Sequence, residues 1–277
     1  MAMKGPGLFS DIGKKPKDLL SKDYNYDHKL TIATLSASGV GLTSTSVKKG
    51  NIYALDIGSQ YKYKNAILDV KVDTDSNIAT TLIISEILPY TKAIASLKLP
   101  DVNSGKLEVQ YFHDHASVTA AFSLKQNPLV ELSTTFGTKE ISFGGEASYD
   151  TASGNFTKYT AGFGLTKPDY TTSLHLADKG DTLKAAYMHH LGETHRASAV
   201  VEITRRLSTN ENSVTVGAAC AVDSQTTFKA RLNNTGKLAT LLQHEVKPKS
   251  FLTLSGEFDT KALDRAPKFG LALLLKP

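Results

Sequence analysis

Tryptophan is absent from the 277-residue chain, and cysteine occurs once, at Cys220. A lone cysteine excludes an internal disulfide and gives no support to a redox or zinc framework. Proline is scarce, at 9 residues. The longest aliphatic run is "LALLL" from Leu271, far short of the roughly 18 to 20 residues a membrane-spanning helix needs. The opening "MAMKGPGLFSDIGKKPKD" lacks the apolar stretch of a signal peptide, and its Asp11 and Asp18 argue against an acid-poor matrix presequence. By hydropathy criteria built for helices, the chain reads as soluble. Charge of one sign is also lacking. Net charge is +5, from 32 basic and 27 acidic residues, and the basic runs "KK" and "RR" are too short for the clustered face of a nucleic-acid binder. Recognition of a nucleic-acid sequence is not expected.

Chemistry-bearing constellations are missing too. "HDH" at His113 to His115, and "HH" at His189 and His190 with His195 nearby, do not make the four converging ligands of a zinc site. They fall at strand ends, where polar side chains meet headgroups or water. "GFG" at Gly162 to Gly164 lies within a strand and opens no helix, so it is no dinucleotide loop. No Ser-His-Asp, Cys-His or paired-carboxylate arrangement stands out. The expectation is no enzyme, no catalytic residue, no metal and no cofactor.

What is present is alternation. "LDVKV" at Leu68 to Val72 interleaves apolar Leu68, Val70 and Val72 with charged Asp69 and Lys71, the period of a β-strand. From about Lys29 onward the same pattern recurs in segments of eight to eleven residues, closed by turn signals such as "NSG", "DKGD" and "NTG". About nineteen such segments can be marked. Connections this short imply an antiparallel up-and-down meander in one domain, and closure into a barrel removes its edges. A barrel of sixteen or more strands is too wide to fill with side chains and holds water. Its polar faces must then point inward and its apolar faces outward into lipid. On this reading Leu68, Val70, Val72, Leu107, Val109, Phe228, Leu232, Leu252, Leu254 and Phe258 touch acyl chains. The lumen receives Asp69, Lys71, Glu108, Lys229 and Arg231.

Residues 1–25 break the pattern. Leu8, Ile12, Leu19 and Leu20 share one face of a short amphipathic helix, with Lys14, Lys17 and Lys22 available to the other, and Gly13 and Pro16 are expected to break or kink it. The chain therefore divides into an N-terminal helical segment, 1–25, and a transmembrane β-barrel, 26–277.

The segments "KGPGLFSDIGKKPKDLLSKDY", "KVDTDSN", "GKLEVQY", "STNENSVTVG", "FKARLNN" and "LLQHEVKPKSFLTLSGEFDTK" resemble, in order and spacing, the voltage-dependent anion channels of the mitochondrial outer membrane, most closely the plant-type members. The resemblance implies an all-β barrel of nineteen strands, the first and last parallel, with the N-terminal helix in the lumen. It implies a voltage-gated, weakly anion-selective channel passing ions and metabolites such as ATP and ADP. Lys14, Lys17 and Lys22 on the helix, Lys92 and Lys98 on one strand, and Lys229 and Arg231 in "FKARLNN" match or neighbour the family's basic pore residues. At Lys92 the family's Gly-Leu-Lys motif reads "YTK". Lys268, Gly270, Leu273 and Leu275 resemble the signal read by the outer-membrane barrel-assembly machinery. Some animal members carry a lipid-facing carboxylate where this chain has Val70. Further partners implied are membrane lipid, anionic metabolites including nucleotides, a second copy of the chain, and docked kinases. Two other readings are a soluble β-barrel lipid carrier and a protein-translocation pore of the same architecture.

Overall fold

The computed structural model describes residues 5–36, 38–50, 52–192, 196–262, 264 and 266–276. After the N-terminal segment come β1 (His28–Leu35), β2 (Val40–Lys49), β3 (Ile52–Tyr63), β4 (Ala66–Asp73), β5 (Ile78–Ser85) and β6 (Thr91–Leu99). Then follow β7 (Lys106–Phe112), β8 (Ala116–Ser123), β9 (Leu129–Gly137), β10 (Ile141–Asp150), β11 (Asn155–Thr166), β12 (Tyr170–Ala177) and β13 (Thr182–Leu191). The last are β14 (Ala197–Arg206), β15 (Asn212–Ala221), β16 (Thr226–Asn233), β17 (Lys237–Lys247), β18 (Ser250–Asp259) and β19 (Lys268–Leu275). The nineteen alternating segments read from the sequence are these strands, with ends shifted by a few residues.

Each strand pairs with its neighbours in sequence and antiparallel, except where the sheet closes. There β1 and β19 pair in parallel, from His28 opposite Leu271 to Ile32 opposite Leu275. The parity of the strand count dictates this. In an up-and-down meander of 19 strands the first and last run the same way, so closure must be parallel. Closure satisfies the backbone between strands without a long apolar run. No helix among the described residues is long and apolar enough to cross a membrane; the strands do the crossing.

Register decides which face is inside. Ser117 Oγ donates to the Gly7 carbonyl at 2.8 Å, which marks its side of β8 as the lumen. Cross-strand partners share a face, so the mark can be carried round the barrel. Ser117 lies opposite Thr135, Thr135 opposite Gly144, and Gly144 opposite Gly162. The same procedure places Asp69, Lys71, Glu108, Lys229 and Arg231 inward. It places Leu68, Val70, Val72, Leu107, Val109, Phe228, Leu232, Leu252, Leu254 and Phe258 outward. Burial is correspondingly inverted relative to a water-soluble fold. Outward Phe143, Phe163 and Leu254 are exposed, whereas inward Ser117, Thr135 and Ser173 are buried. Such an outer face is stable only against lipid.

The lumen and its N-terminal segment as candidate functional site

The N-terminal segment runs along the inner wall from β8 to β19. It makes a single 3₁₀ turn at Phe9–Asp11, where Asp11 Oδ2 accepts from the Leu8 N–H at 3.0 Å. Gly13 then turns the chain with φ 73°, a conformation costly for any residue with a Cβ, and α1 spans Lys14–Ser21. The expected break at Gly13 is present. The expected kink at Pro16 is not, because Pro16 lies in the first turn of α1, where its missing N–H forfeits no intrahelical bond.

Apolar contacts hold the segment along its length. Phe9 meets His175 edge-on, with ring centroids 6.1 Å apart. Leu19 and Leu20 pack on inward Met188 and Val200, with Ala219 beside them. Burying a leucine side chain fully is worth about 1.5 to 3 kcal/mol, so these two supply much of the adhesion. Wall glycines make the close approach feasible. A Cβ on Gly162 would stand 3.0 Å from the Phe9 ring, one on Gly164 3.1 Å from Ile12 Cγ2, and one on Gly217 2.6 Å from Leu20 Cδ2. Gly217→Val should therefore dislodge Leu20 while leaving the β15 ladder paired, seen as faster hydrogen exchange confined to residues 14–21.

Arg231 clasps the far end. Its Nη1 donates to the Leu20 carbonyl at 2.6 Å and its Nη2 to the Tyr26 hydroxyl at 3.2 Å. Its guanidinium carbon lies 4.6 Å from the centre of the Tyr24 ring, and its Nη2 lies 3.9 Å from Glu257. A cation at the carbonyl end of a helix is favourably placed. Just beyond, the Asn25 carbonyl accepts from Ser255 Oγ and lies where a Cβ on Gly270 would stand.

Burial pushes the Tyr24 phenol up to about 12, with Arg231 pulling it the other way. Tyr26 is also raised, first by burial and then by its hydrogen bond with Glu257. A raised phenol favours the docked state below its free value near 10 and loses that contribution as pH climbs through about 12. Absorbance at 295 nm should show a late-titrating phenol in the wild type, and the segment should loosen in that alkaline window.

The sequence-predicted basic residues fall into distinct groups. Lys229 Nζ lies 3.8 Å from Asp23 with its side chain largely covered, so it joins Arg231 in fastening the segment. Lys14 pairs with Asp11 at 3.2 Å, both well exposed, a contact of little energetic weight. Lys17 and Lys22 are exposed. Lys92 and Lys98 stand on the lumen side of β6, opposite Gln110 and Ala79 respectively, on wall that the segment leaves uncovered. On that same side a recess of about 710 Å³ lies against β1–β4, where Lys71 pairs with Asp56 at 2.9 Å. In β19, Lys268 and Gly270 face inward while Leu273 and Leu275 face outward. Among the described residues no group of three or more His, Cys, Asp or Glu could hold a metal; His195 lies outside them.

Residues 5–270 match the eukaryotic porin family. The chain is 64% identical over 277 residues to mitochondrial outer membrane protein porin 5 of Oryza sativa subsp. japonica, covering 100% of both. It is 62% identical over 274 residues to mitochondrial outer membrane protein porin 2 of Arabidopsis thaliana, covering 99% of each. An outer plastidial membrane protein porin of Pisum sativum is 46% identical over 275 residues, 99% of this chain and 100% of that one. Full-length matches of this strength, on a closed barrel with an apolar exterior, make the chain a member of the eukaryotic porin family, a pore-forming protein of the mitochondrial outer membrane.

Proposed function

We propose that the pore is voltage-gated and weakly anion-selective, and that it passes small ions and anionic metabolites such as ATP and ADP. The observation that carries this reading is the distribution of lumen charge. Lys17, Lys22, Lys92 and Lys98 have no carboxylate within ion-pairing distance among the described residues, whereas Lys71, Lys106, Lys158 and Lys184 are paired with Asp56, Glu131, Glu146 and Glu202. Paired charges cancel at a distance and unpaired ones set the field. Inward Asp69 and Glu108 offset part of it, so the preference is weak. Selectivity then comes from the field of a wide aqueous pore and needs no tight site.

Replacing Lys17, Lys22, Lys92 and Lys98 together with Gln should move the reversal potential in a salt gradient to zero or to the cation-selective side. An unchanged potential would refute the assignment. Neutralising Lys229 alone should change selectivity far less, since Asp23 already balances it.

Voltage dependence needs charge that moves, at about 2.3 kcal/mol per charge through 100 mV. Within its described residues the segment carries Lys14, Lys15, Lys17 and Lys22 against Asp11, Asp18 and Asp23, and its apolar footing is small enough to release. We assign the coupling to this segment. Lys268, Gly270, Leu273 and Leu275 serve as the assembly signal in the same proposal, but Gly270 also makes room for Asn25. Gly270→Ala should consequently loosen the segment even in protein refolded from denaturant, where no assembly machinery acts.

A further inference from the structure

The outer face of the barrel is charged with one sign only. Among the described residues, no outward position of any strand carries a carboxylate. Bases do occur there, all near strand ends: His28, Lys48 and Arg205 toward one rim, His189, His244 and Lys247 toward the other. The first group is the most concentrated. His28 lies directly opposite Lys48 across β1 and β2, and Lys48 directly opposite Tyr53 across β2 and β3. The three side chains thus form a row across adjacent strands, spanning roughly 10 Å. Lys48 Nζ sits 5.3 Å from the centre of the Tyr53 ring, and all three residues are exposed.

Beneath this row the lipid face is interrupted. Ser46 follows Lys48 on the outward side of β2, between Leu30 and Leu55. Hydroxyls in an apolar band have no hydrocarbon partner, but they suit the ester oxygens of a glycerolipid.

We propose that His28, Lys48 and Tyr53 form a binding site for the phosphodiester of an anionic phospholipid, beside the parallel β1–β19 seam. Lys48 supplies the charge. The Tyr53 hydroxyl and the His28 ring supply donors, and the aromatic ring fixes the ammonium at headgroup depth. Ser46, two residues below Lys48, receives the glycerol-ester region. The outer face near this row holds no negative charge to repel the lipid.

The absence of tryptophan makes the test clean. Leu55→Trp places a single indole on the lipid face opposite Ser46, and Leu174→Trp places one on the outward face of β12 as a remote control. Each full-length variant is reconstituted in vesicles with dibrominated phosphatidylglycerol or dibrominated phosphatidylcholine as quencher. The site predicts about fivefold preferential association of phosphatidylglycerol at residue 55, none at residue 174, and loss of the preference when K48Q and H28Q are added. Equal quenching by the two lipids at residue 55, or a preference that survives K48Q with H28Q, overturns the proposal. Failure of both lipids to quench at residue 55, with cross-linking of two chains through this face, also overturns it and assigns the face to a second copy.

Discussion

Arginine in place of Val70 is expected to destabilise the barrel by about 2 to 4 kcal/mol, while glutamine in place of the adjacent Lys71 changes stability by less than about 1 kcal/mol. The two positions differ only in the face they occupy. Val70 is outward and central in β4, so a guanidinium there meets acyl chains near the bilayer midplane. Lys71 faces the lumen and loses only its 2.9 Å pair with Asp56, whose carboxylate remains partly accessible to water. In a water-soluble barrel of opposite orientation the sensitivity would reverse. Reversible denaturation in lipid vesicles measures both, and equal tolerance would refute the assigned faces.

The second large effect concerns the clasp. Arg231→Ala removes the donors to the Leu20 carbonyl and the Tyr26 hydroxyl and the cation over Tyr24. It also leaves Glu257 with Lys268 as its remaining ion-pair partner among the described residues. Charged hydrogen bonds at about 1.5 to 3 kcal/mol each, discounted for partial exposure, put the loss near 3 kcal/mol. That raises the undocked population of the segment more than a hundredfold. Trypsin cannot work inside the wall, so cleavage after Lys17 or Lys22 reports escape of the segment from the lumen and should accelerate in proportion. Lys229→Gln, which removes only a 3.8 Å pair with Asp23, should accelerate it far less. Equal cleavage of wild type and Arg231→Ala would show that the apolar footing alone holds the segment.

Much of this was legible because a strand writes its two environments into alternate residues. "LDVKV" already separates Leu68, Val70 and Val72 from Asp69 and Lys71, and the structure keeps that separation. Strand count settled the rest by geometry, since a barrel this wide must be wet inside. The role of Arg231 was less legible. Its strand phase marks it as a pore cation, and it is one by face, but its hydrogen bonds tie it to Leu20 and Tyr26. Such a contact joins residues more than 200 positions apart, and no local pattern carries it.

The docking patch leaves a trace in the sequence. Met188 is in phase with inward Lys184, and Val200 with inward Glu202. Apolar side chains on the polar phase of neighbouring strands mark a lumen surface covered by something, here Leu19 and Leu20. Phe9 falls outside the apolar stripe of a continuous helix, because the 3₁₀ turn and Gly13 change the helical phase between it and Leu19. Pro16 does not kink the helix because α1 begins only two residues before it.

Thiol accessibility along β4 tests the central claim most directly. In a Cys220→Ser background, single cysteines at Asp69, Val70, Lys71 and Val72 are exposed to a charged, membrane-impermeant methanethiosulfonate during planar-bilayer recording. The account predicts stepwise changes in conductance at residues 69 and 71 and no reaction at residues 70 and 72. Reaction at 70 and 72 with silence at 69 and 71, or no ion-conducting pore at all, would contradict it.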